Sequence, residues 1–360
     1  MSPRPDAVRG ATIVGTGMYV PARVLTNADL ETMVDTSDQW IRERTGIAER
    51  RIAAPGEASS DLAAHAARRA MESAGLTPND IDHIMVATTT PDRILPSCAC
   101  TVQSKIGARR AAAYDMFAAC TGFVYGLGLA RGLIGARVAD TVLLIGVETL
   151  SRIVDYSDRN TCVLFGDGAG AVVLRPCAVD EGLLAITMHS DGELGDVLEV
   201  PAGGSRCPAT SDTVEARDHF IKMHGRKVFP FAVRSMEESL LGALELGGLS
   251  MADIDLLIPH QANQRIIDAL QERVGIGAER VVSNIDRYGN TSSASIPISL
   301  DEAVRAGRLK PGDCVAFTAF GGGATWGSSV MRWTMPAPLG VHAAAHGSAS
   351  VDGVVRKVGA

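Results

Sequence analysis

The sequence predicts an α/β chain built from two similar halves, and three observations carry that prediction. A segment recurs at a fixed offset, short β-branched runs alternate with helix-length amphipathic runs, and polar clusters follow the ends of apolar strands. The repeat is the firmest of the three. Leu76-Thr-Pro-Asn-Asp80-Ile-Asp82 returns as Leu249-Ser-Met-Ala-Asp253-Ile-Asp255, an offset of 173 residues. Ala139-Asp140-Thr-Val142 matches Gly312-Asp313-Cys-Val315 at the same offset. One match could arise by chance; two at one offset argue for duplication.

Each copy follows a helical segment carrying Met-Glu (Met71-Glu72, Met236-Glu237) and leads into an apolar strand, at 84–86 or 256–258. In the first half a helix is expected over 61–74, with Asp61 as its N-cap after Ser59-Ser60. A further strand is expected over 141–147, and its second-half counterpart over 314–318. Between the two repeated segments of each half, Arg131-Gly resembles Arg305-Ala-Gly, one residue out of step. Alternating strands and helices imply a largely parallel sheet covered on both faces. The expected organisation is one half over residues 1–180, a second over 181–335, and a loose Ala-, Gly-, Ser- and Val-rich tail over 336–360.

Composition narrows the function. Apolar residues make up 46% of the 360 and aromatics only 4%, so the core must be mostly Ala, Val, Ile and Leu. The net charge of −7 argues against nucleic-acid binding, which needs a basic face. The uncharged apolar run between Asp115 and Arg131 falls short of the ~20 residues that span a bilayer, so no membrane is expected. Seven cysteines form an odd, scattered set, and the polar N-terminus shows no secretory pattern. Free thiols in a cytoplasmic protein are the expectation.

Cys120 lies between a short apolar strand and a Gly-containing helical run. A helix N-terminus there would favour the thiolate; the competing reading is a small buried hydrophobe. Pro259-His260-Gln-Ala-Asn263 directly follows the strand at 256–258, where α/β folds place active sites. Tyr288-Gly-Asn290-Thr-Ser-Ser293 reads as a polar turn and helix cap. The repeat adds to it: Ser293 is Cys120 shifted by 173, so this turn is the counterpart of the cysteine turn and would bring Asn290 near Cys120. Phe320-Gly321-Gly322-Gly323 after a strand can aim backbone N–H groups at an oxyanion, or serve as a flexible turn. Gly15-Thr-Gly17 lacks the third glycine of a dinucleotide loop, and Gly166-Asp-Gly168-Ala-Gly170 lacks the Lys-Ser/Thr of a phosphate loop. Cys98-Ala-Cys100 has no second ligand pair, and His342 and His346 share only their spacing, so no metal site is expected.

Taken in order, Val34-Asp-Thr-Ser-Asp38-Gln-Trp40, Arg44-Thr-Gly46-Ile47, Ala119-Cys120-Thr-Gly122-Phe123, Phe165-Gly-Asp167-Gly-Ala-Gly170, Pro259-His260-Gln-Ala-Asn263, Gly289-Asn290-Thr291 and Gly321-Gly-Gly-Ala-Thr325-Trp326-Gly327 span about residues 9 to 334. This ordered set resembles the β-ketoacyl-acyl-carrier-protein synthase III family of the thiolase-like fold. The resemblance implies two duplicated halves in a five-layer αβαβα arrangement. It also implies a decarboxylating condensation of an acyl-CoA starter with malonyl-acyl carrier protein, in a homodimer, with coenzyme A thioester as substrate and no permanently bound cofactor.

Carried over residue by residue, Cys120 would take the acyl group, His260 and Asn290 would serve the enolate, and backbone N–H groups of Cys120 and Gly322 would hold the tetrahedral oxyanion. Trp40 and Arg159 would sandwich the adenine of CoA, with Arg44 nearby and Asn263 on the pantetheine arm. Arg265 would meet the carrier protein, and Leu95 and Phe320 would shape the acyl pocket. Asn290 separates this family from relatives that pair the cysteine with two histidines, a second cysteine or a glutamate.

The chain departs from the family at its docking face. Pro230 and Glu272 stand where family members carry lysines, with Arg226, Lys227 and Arg273 close by. Leu95 stands where a dimer partner often lends Phe, which implies room for a starter longer or more branched than acetyl. Two other readings compete with the synthase. One is an acyltransferase that moves the acyl group from Cys120 to an alcohol or amine; the other is a non-catalytic binding protein on the same scaffold.

Overall fold

The computed structural model describes residues 9–336. The tail expected over 336–360 lies, beyond Pro336, outside the described residues.

Two sheets carry the molecule. The first is formed by β1 (Gly10–Tyr19), β2 (His83–Ala87), β3 (Ala112–Met116), β4 (Val142–Thr149) and β5 (Asp167–Cys177), in the order β1-β5-β4-β2-β3. The second is formed by β6 (Gly182–Ser190), β7 (Leu256–Pro259), β8 (Cys314–Gly321) and β9 (Thr325–Arg332), in the order β7-β8-β9-β6. The shared order and register explain the sequence repeat. His83 pairs with Val142, and Leu256 with Val315, each partner displaced by 173.

The repeated Leu-x-x-x-Asp-Ile-Asp motif has a local cause in both halves. Thr77 and Ser250 each give their hydroxyl to an aspartate three residues on, Asp80 at 2.6 Å and Asp253 at 2.7 Å, in a reciprocal cap. Asp82 then accepts from the Thr141 N–H and Asp255 from the Cys314 N–H, both at 2.9 Å, tying the turn to the neighbouring strand.

The sheets are mixed rather than largely parallel. Only β2 with β3 and β4, and β7 with β8, run parallel; β5 and β9 lie antiparallel to both neighbours. No crossover helix intervenes between β4 and β5 or between β8 and β9, and a strand that returns through a turn must pair antiparallel. Where the second sheet would need a counterpart of β3, Val281 makes a single parallel bridge to Leu257.

Seven helices position the site: α1 (Asp38–Thr45), α2 (Ser59–Ser73), α3 (Cys98–Ile106), α4 (Gly122–Gly135), α5 (Gly225–Leu246), α6 (Gln264–Val274) and α7 (Ser295–Arg305). Helices α4 and α7 lie between the sheets, with Phe123, Leu127, Ile296 and Leu300 in one core with Leu144, Leu174 and Phe317. Helices α2 and α3 cover the outer face of the first sheet, and α5 and α6 that of the second. The result is the five-layer αβαβα arrangement of the thiolase-like fold.

Two local expectations change. Helix α2 starts at Ser59, so Asp61 is its third residue rather than its cap; its carboxylate accepts the Ala58 N–H at 3.0 Å and pairs with Lys105 at 2.6 Å. Gly15-Thr-Gly17 lies inside β1, where a Cβ at Gly17 would sit 2.4 Å from the Ala70 nitrogen. Those glycines let an alanine-rich helix press on the sheet.

Candidate active site

Two symmetry-related turns meet at the seam between the halves. After β3 the chain passes through a 3₁₀ turn at Ala119–Thr121 into α4, placing Cys120 at the junction. The second half repeats this at Ser292–Ala294 before α7. Both turns hold a non-glycine residue at positive φ, Ala119 at 45° and Ser292 at 49°. They face each other closely, since a Cβ at Gly122 would lie 3.6 Å from that of Ser293. The end of β8 also abuts the cysteine, because a Cβ at Gly321 would lie 2.7 Å from the Cys120 nitrogen.

His260 extends β7 by one hydrogen bond, from its N–H to the Thr318 carbonyl at 2.8 Å. The Nδ1 lies 2.7 Å from Ser295 Oγ at the start of α7, which leaves Nε2 for the cavity. Burial pushes the imidazole down to about 3, so it is neutral at physiological pH.

Asn290 is stapled to the first half by two backbone bonds, its N–H to the Leu164 carbonyl at 2.8 Å and its carbonyl from the Gly166 N–H at 3.0 Å. Its Oδ1 accepts the Ser292 N–H at 2.8 Å. The amide oxygen is thereby engaged, and the NH₂ is the end left to donate.

Cys120, His260 and Asn290 line one cavity of about 110 Å³, with Phe229, Asn263, Phe320 and Gly321. Cys120 also opens onto a larger cavity of about 500 Å³, lined by Phe117, Ile153, Phe165, Ile221 and Gly322 among others. The cysteine stands between a small cavity that holds His260 and Asn290 and a roomy chamber, both lined mostly by apolar side chains.

A helix N-terminus alone does not make Cys120 a thiolate at rest. Burial pushes the Cys120 thiol up to about 12, and the Glu148 charge adds to this, while the Ser292 hydroxyl and the cysteine's own N–H pull the other way. Loss of water outweighs the helix start.

The other expected residues fall out differently. The Arg159 guanidinium lies 4.6 Å from the centroid of the Trp40 ring and donates to the Asp35 carbonyl at 2.8 Å. With the cation stacked directly on the indole, an adenine sandwich requires Arg159 to swing away. Asn263 lines the narrow cavity, but its amide already caps α6 through the Arg265 N–H at 2.9 Å and bonds the Arg44 carbonyl at 3.1 Å. The Arg44 side chain is exposed. Arg265 is exposed, 5.5 Å from the Phe229 ring, whereas Arg273 is spent on Glu237 at 2.6 Å.

Phe320 lines the narrow cavity and a separate apolar one of about 330 Å³, and not the large chamber. Leu95 is 85% exposed and lines no cavity at Cys120 in its own chain. Three buried residues at the site escaped the sequence reading: Glu148, Ser292 and Ser295. Glu148 had a signal, as an acid that ends the apolar run of β4.

Among the described residues the seven cysteines are all free, and no cluster of His, Cys, Asp and Glu could hold a metal. No described helix is long and apolar enough to cross a membrane.

A thiolase-like fold with a buried Cys, His and Asn at its seam defines a class of acyl-transferring condensing enzymes, and comparison with known proteins narrows it. Residues 114–192 match the family model described as 3-oxoacyl-[acyl-carrier-protein (ACP)] synthase III, and residues 244–333 match that of its C-terminal part. The chain is 54% identical over 326 residues to a beta-ketoacyl-[acyl-carrier-protein] synthase III of Symbiobacterium thermophilum, covering 91% of this chain and 99% of the relative. The crystal structure of the 3-oxoacyl-[acyl-carrier-protein] synthase III of Aquifex aeolicus, 47% identical, superposes with a TM-score of 0.83 over 90% of this chain and 100% of that one. A priming beta-ketosynthase from a polyketide biosynthetic pathway, 34% identical, gives 0.85 over 93% and 100%. The chain belongs to the β-ketoacyl-acyl-carrier-protein synthase III family.

Proposed function

We propose that this enzyme condenses an acyl-CoA starter with malonyl-acyl carrier protein, releasing carbon dioxide and giving a β-ketoacyl thioester that starts a fatty-acid or polyketide chain. Cys120 attacks the acyl-CoA carbonyl and holds the acyl group in the large chamber while CoA departs. Backbone N–H groups of Cys120 and Gly322 stabilise the tetrahedral oxyanion. The malonyl thioester then enters through the narrow cavity. His260 Nε2–H and the Asn290 amide donate to its carbonyl oxygen as decarboxylation builds an enolate, whose carbon attacks the acyl-enzyme.

One observation carries this reading: the neutral His260 and the Asn290 amide, whose oxygen is already engaged, are buried in one small cavity with Cys120. Two neutral donors suit a developing enolate, where a cationic imidazole would compete for the malonyl carboxylate. The alcohol- or amine-directed acyltransferase has no comparable support.

Trp40, Arg44 and Arg159 are assigned to the nucleotide end of CoA, Asn263 to the pantetheine arm, and Arg265 with Lys227 to the carrier protein. Residues 1–180 and 181–335 are read as the duplicated halves. The exposed Ile94 and Leu95 are assigned to a homodimer contact in which the Leu95 of one chain closes the chamber of the other, and the protein is assigned to the cytoplasm.

The test supplies acyl-CoA and carboxyl-labelled malonyl-acyl carrier protein. Label should leave as carbon dioxide in step with β-ketoacyl product, and Cys120→Ala should lose the product. Acyl transfer to an added alcohol or amine without carbon dioxide release would overturn the assignment.

A further inference from the structure

Asn290 can serve an enolate only with its NH₂ toward the cavity. The backbone bonds to Leu164 and Gly166 fix the main chain but not the amide, whose two ends are alike in shape. One contact tells them apart: the Ser292 N–H, 2.8 Å from Oδ1, can bond only the oxygen end. That N–H is aimed by a backbone at φ 49°, a region a residue other than glycine keeps only where its surroundings hold it. Glu148, at the end of β4, supplies the hold. It is fully buried, and its described hydrogen-bond partners include no cation. Its Oε2 accepts from Thr89 Oγ1 at 3.0 Å, the Thr89 N–H at 3.1 Å and Thr90 Oγ1 at 2.7 Å, all in the first half. Its Oε1 reaches into the second half, where Ser292 Oγ and Ser293 Oγ both lie at 3.1 Å. The single proton of Ser293 has a nearer acceptor, the Ala87 carbonyl at 2.8 Å, so Ser292 is the residue tied directly to the carboxylate.

The duplication supplies a second, independent observation. At the offset of 173, Ser292 corresponds to Ala119, the other positive-φ residue of the paired turns, and Glu148 corresponds to Gly321. Each turn is therefore met by a strand end from the opposite half. Gly321 meets its turn with bare backbone, since a Cβ there would lie 3.3 Å from that of Ala119 and 2.7 Å from the Cys120 nitrogen. Glu148 meets its turn with a carboxylate on the Ser292 hydroxyl. Equivalent places are filled by close packing beside the cysteine and by a hydrogen bond beside Asn290.

We propose that Glu148 is a positioning residue for condensation: by tethering Ser292 it sets the N–H that claims the Asn290 oxygen and leaves the Asn290 NH₂ to the malonyl carbonyl. Glu148 acts from behind the turn and through two residues, Ser292 and Asn290. Its effect belongs to the step that uses the Asn290 donor and not to acylation of Cys120. The inference rests on Asn290 being an enolate donor, as in the function proposed above.

The test follows two stages on the full-length enzyme: acylation from acyl-CoA by quenched intact-mass spectrometry, and carbon dioxide release from the isolated acyl-enzyme with malonyl-acyl carrier protein. Ser292→Ala removes the tether alone, and Ala119 shows that alanine fits such a turn. It should slow carbon dioxide release about tenfold or more while acylation stays within about fivefold of wild type. In an Asn290→Asp background both ends of the side chain accept, so no end remains to be chosen. There Ser292→Ala should cost less than about twofold more. Glu148→Ala should slow release at least as much as Ser292→Ala, and the two together no further than Glu148→Ala alone. Ser292→Ala releasing at the wild-type rate, slowing both stages alike, or multiplying with Asn290→Asp overturns the positioning role. If Glu148→Ala does not fold, Ser292→Ala and its combination with Asn290→Asp decide. Asn290→Asp releasing carbon dioxide at the wild-type rate would instead refute the donor reading, and this role with it.

Discussion

Changing Asn290 to Asp keeps the shape of the side chain but replaces its donating NH₂ with an oxygen that only accepts and can carry negative charge. The two backbone bonds that staple residue 290 to Leu164 and Gly166 do not involve the side chain, and either carboxylate oxygen can still accept the Ser292 N–H. The variant should therefore fold. What it loses is the N–H that faces the cavity, and removing one such donor costs about 10²–10³ in rate, or roughly 2.7–4 kcal/mol. On the proposed assignment the loss belongs to condensation alone, because backbone N–H groups would hold the acyl-transfer oxyanion. The assay separates the steps: load the enzyme from acyl-CoA, remove free CoA, add malonyl-acyl carrier protein and follow carbon dioxide. Acylation should stay within about fivefold of wild type while carbon dioxide release falls at least about 10²-fold. Condensation within tenfold of wild type, or acylation falling as far as condensation, would refute the donor role.

Four other outcomes follow from the same geometry. With His260 held near 3, condensation measured from acyl-enzyme should show no inflection near pH 6.5; an inflection there that His260→Ala removes would contradict the neutral donor. The same depressed value means that the unfolded chain takes up this proton more readily than the folded one. His260 should therefore cost stability as pH falls below about 6.5 and down towards 3, visible as an acid loss of melting temperature that is smaller in His260→Gln. Trp40→Ala and Arg159→Ala should raise KM for acyl-CoA several-fold while leaving carbon dioxide release from preformed acyl-enzyme unchanged, as an effect on nucleotide binding alone requires. Gly321→Ala should cut acylation sharply, because the new methyl would meet the Cys120 nitrogen at 2.7 Å and main chain must move; wild-type acylation would show that the strand end is free to shift.

Much of this architecture is legible in the sequence because duplication writes it twice. The capped turns at Thr77 and Ser250, the aspartates that tie each turn to the next strand, and the shared register all surface as one offset. The same offset pairs the turn of Cys120 with that of Asn290, which composition could not do. What stayed hidden depends on burial and on contacts between distant segments. The neutral state of Cys120 follows from the water it loses, not from its place before a helix. The antiparallel β5 and β9 follow from short connections that resemble any loop. The stack of Arg159 on Trp40 joins residues more than a hundred positions apart. Ser295 reads as a helix start until the fold sets it 2.7 Å from His260 Nδ1.

The most direct test of the central claim is intact-mass spectrometry of the enzyme mixed with a panel of acyl-CoAs and no malonyl thioester. One acyl group should appear per chain and map to Cys120, with none on Cys120→Ala, and the large chamber predicts acceptance of starters beyond acetyl. Acylation that persists in Cys120→Ala, or a wild type that accepts no acyl group from any acyl-CoA, would contradict it.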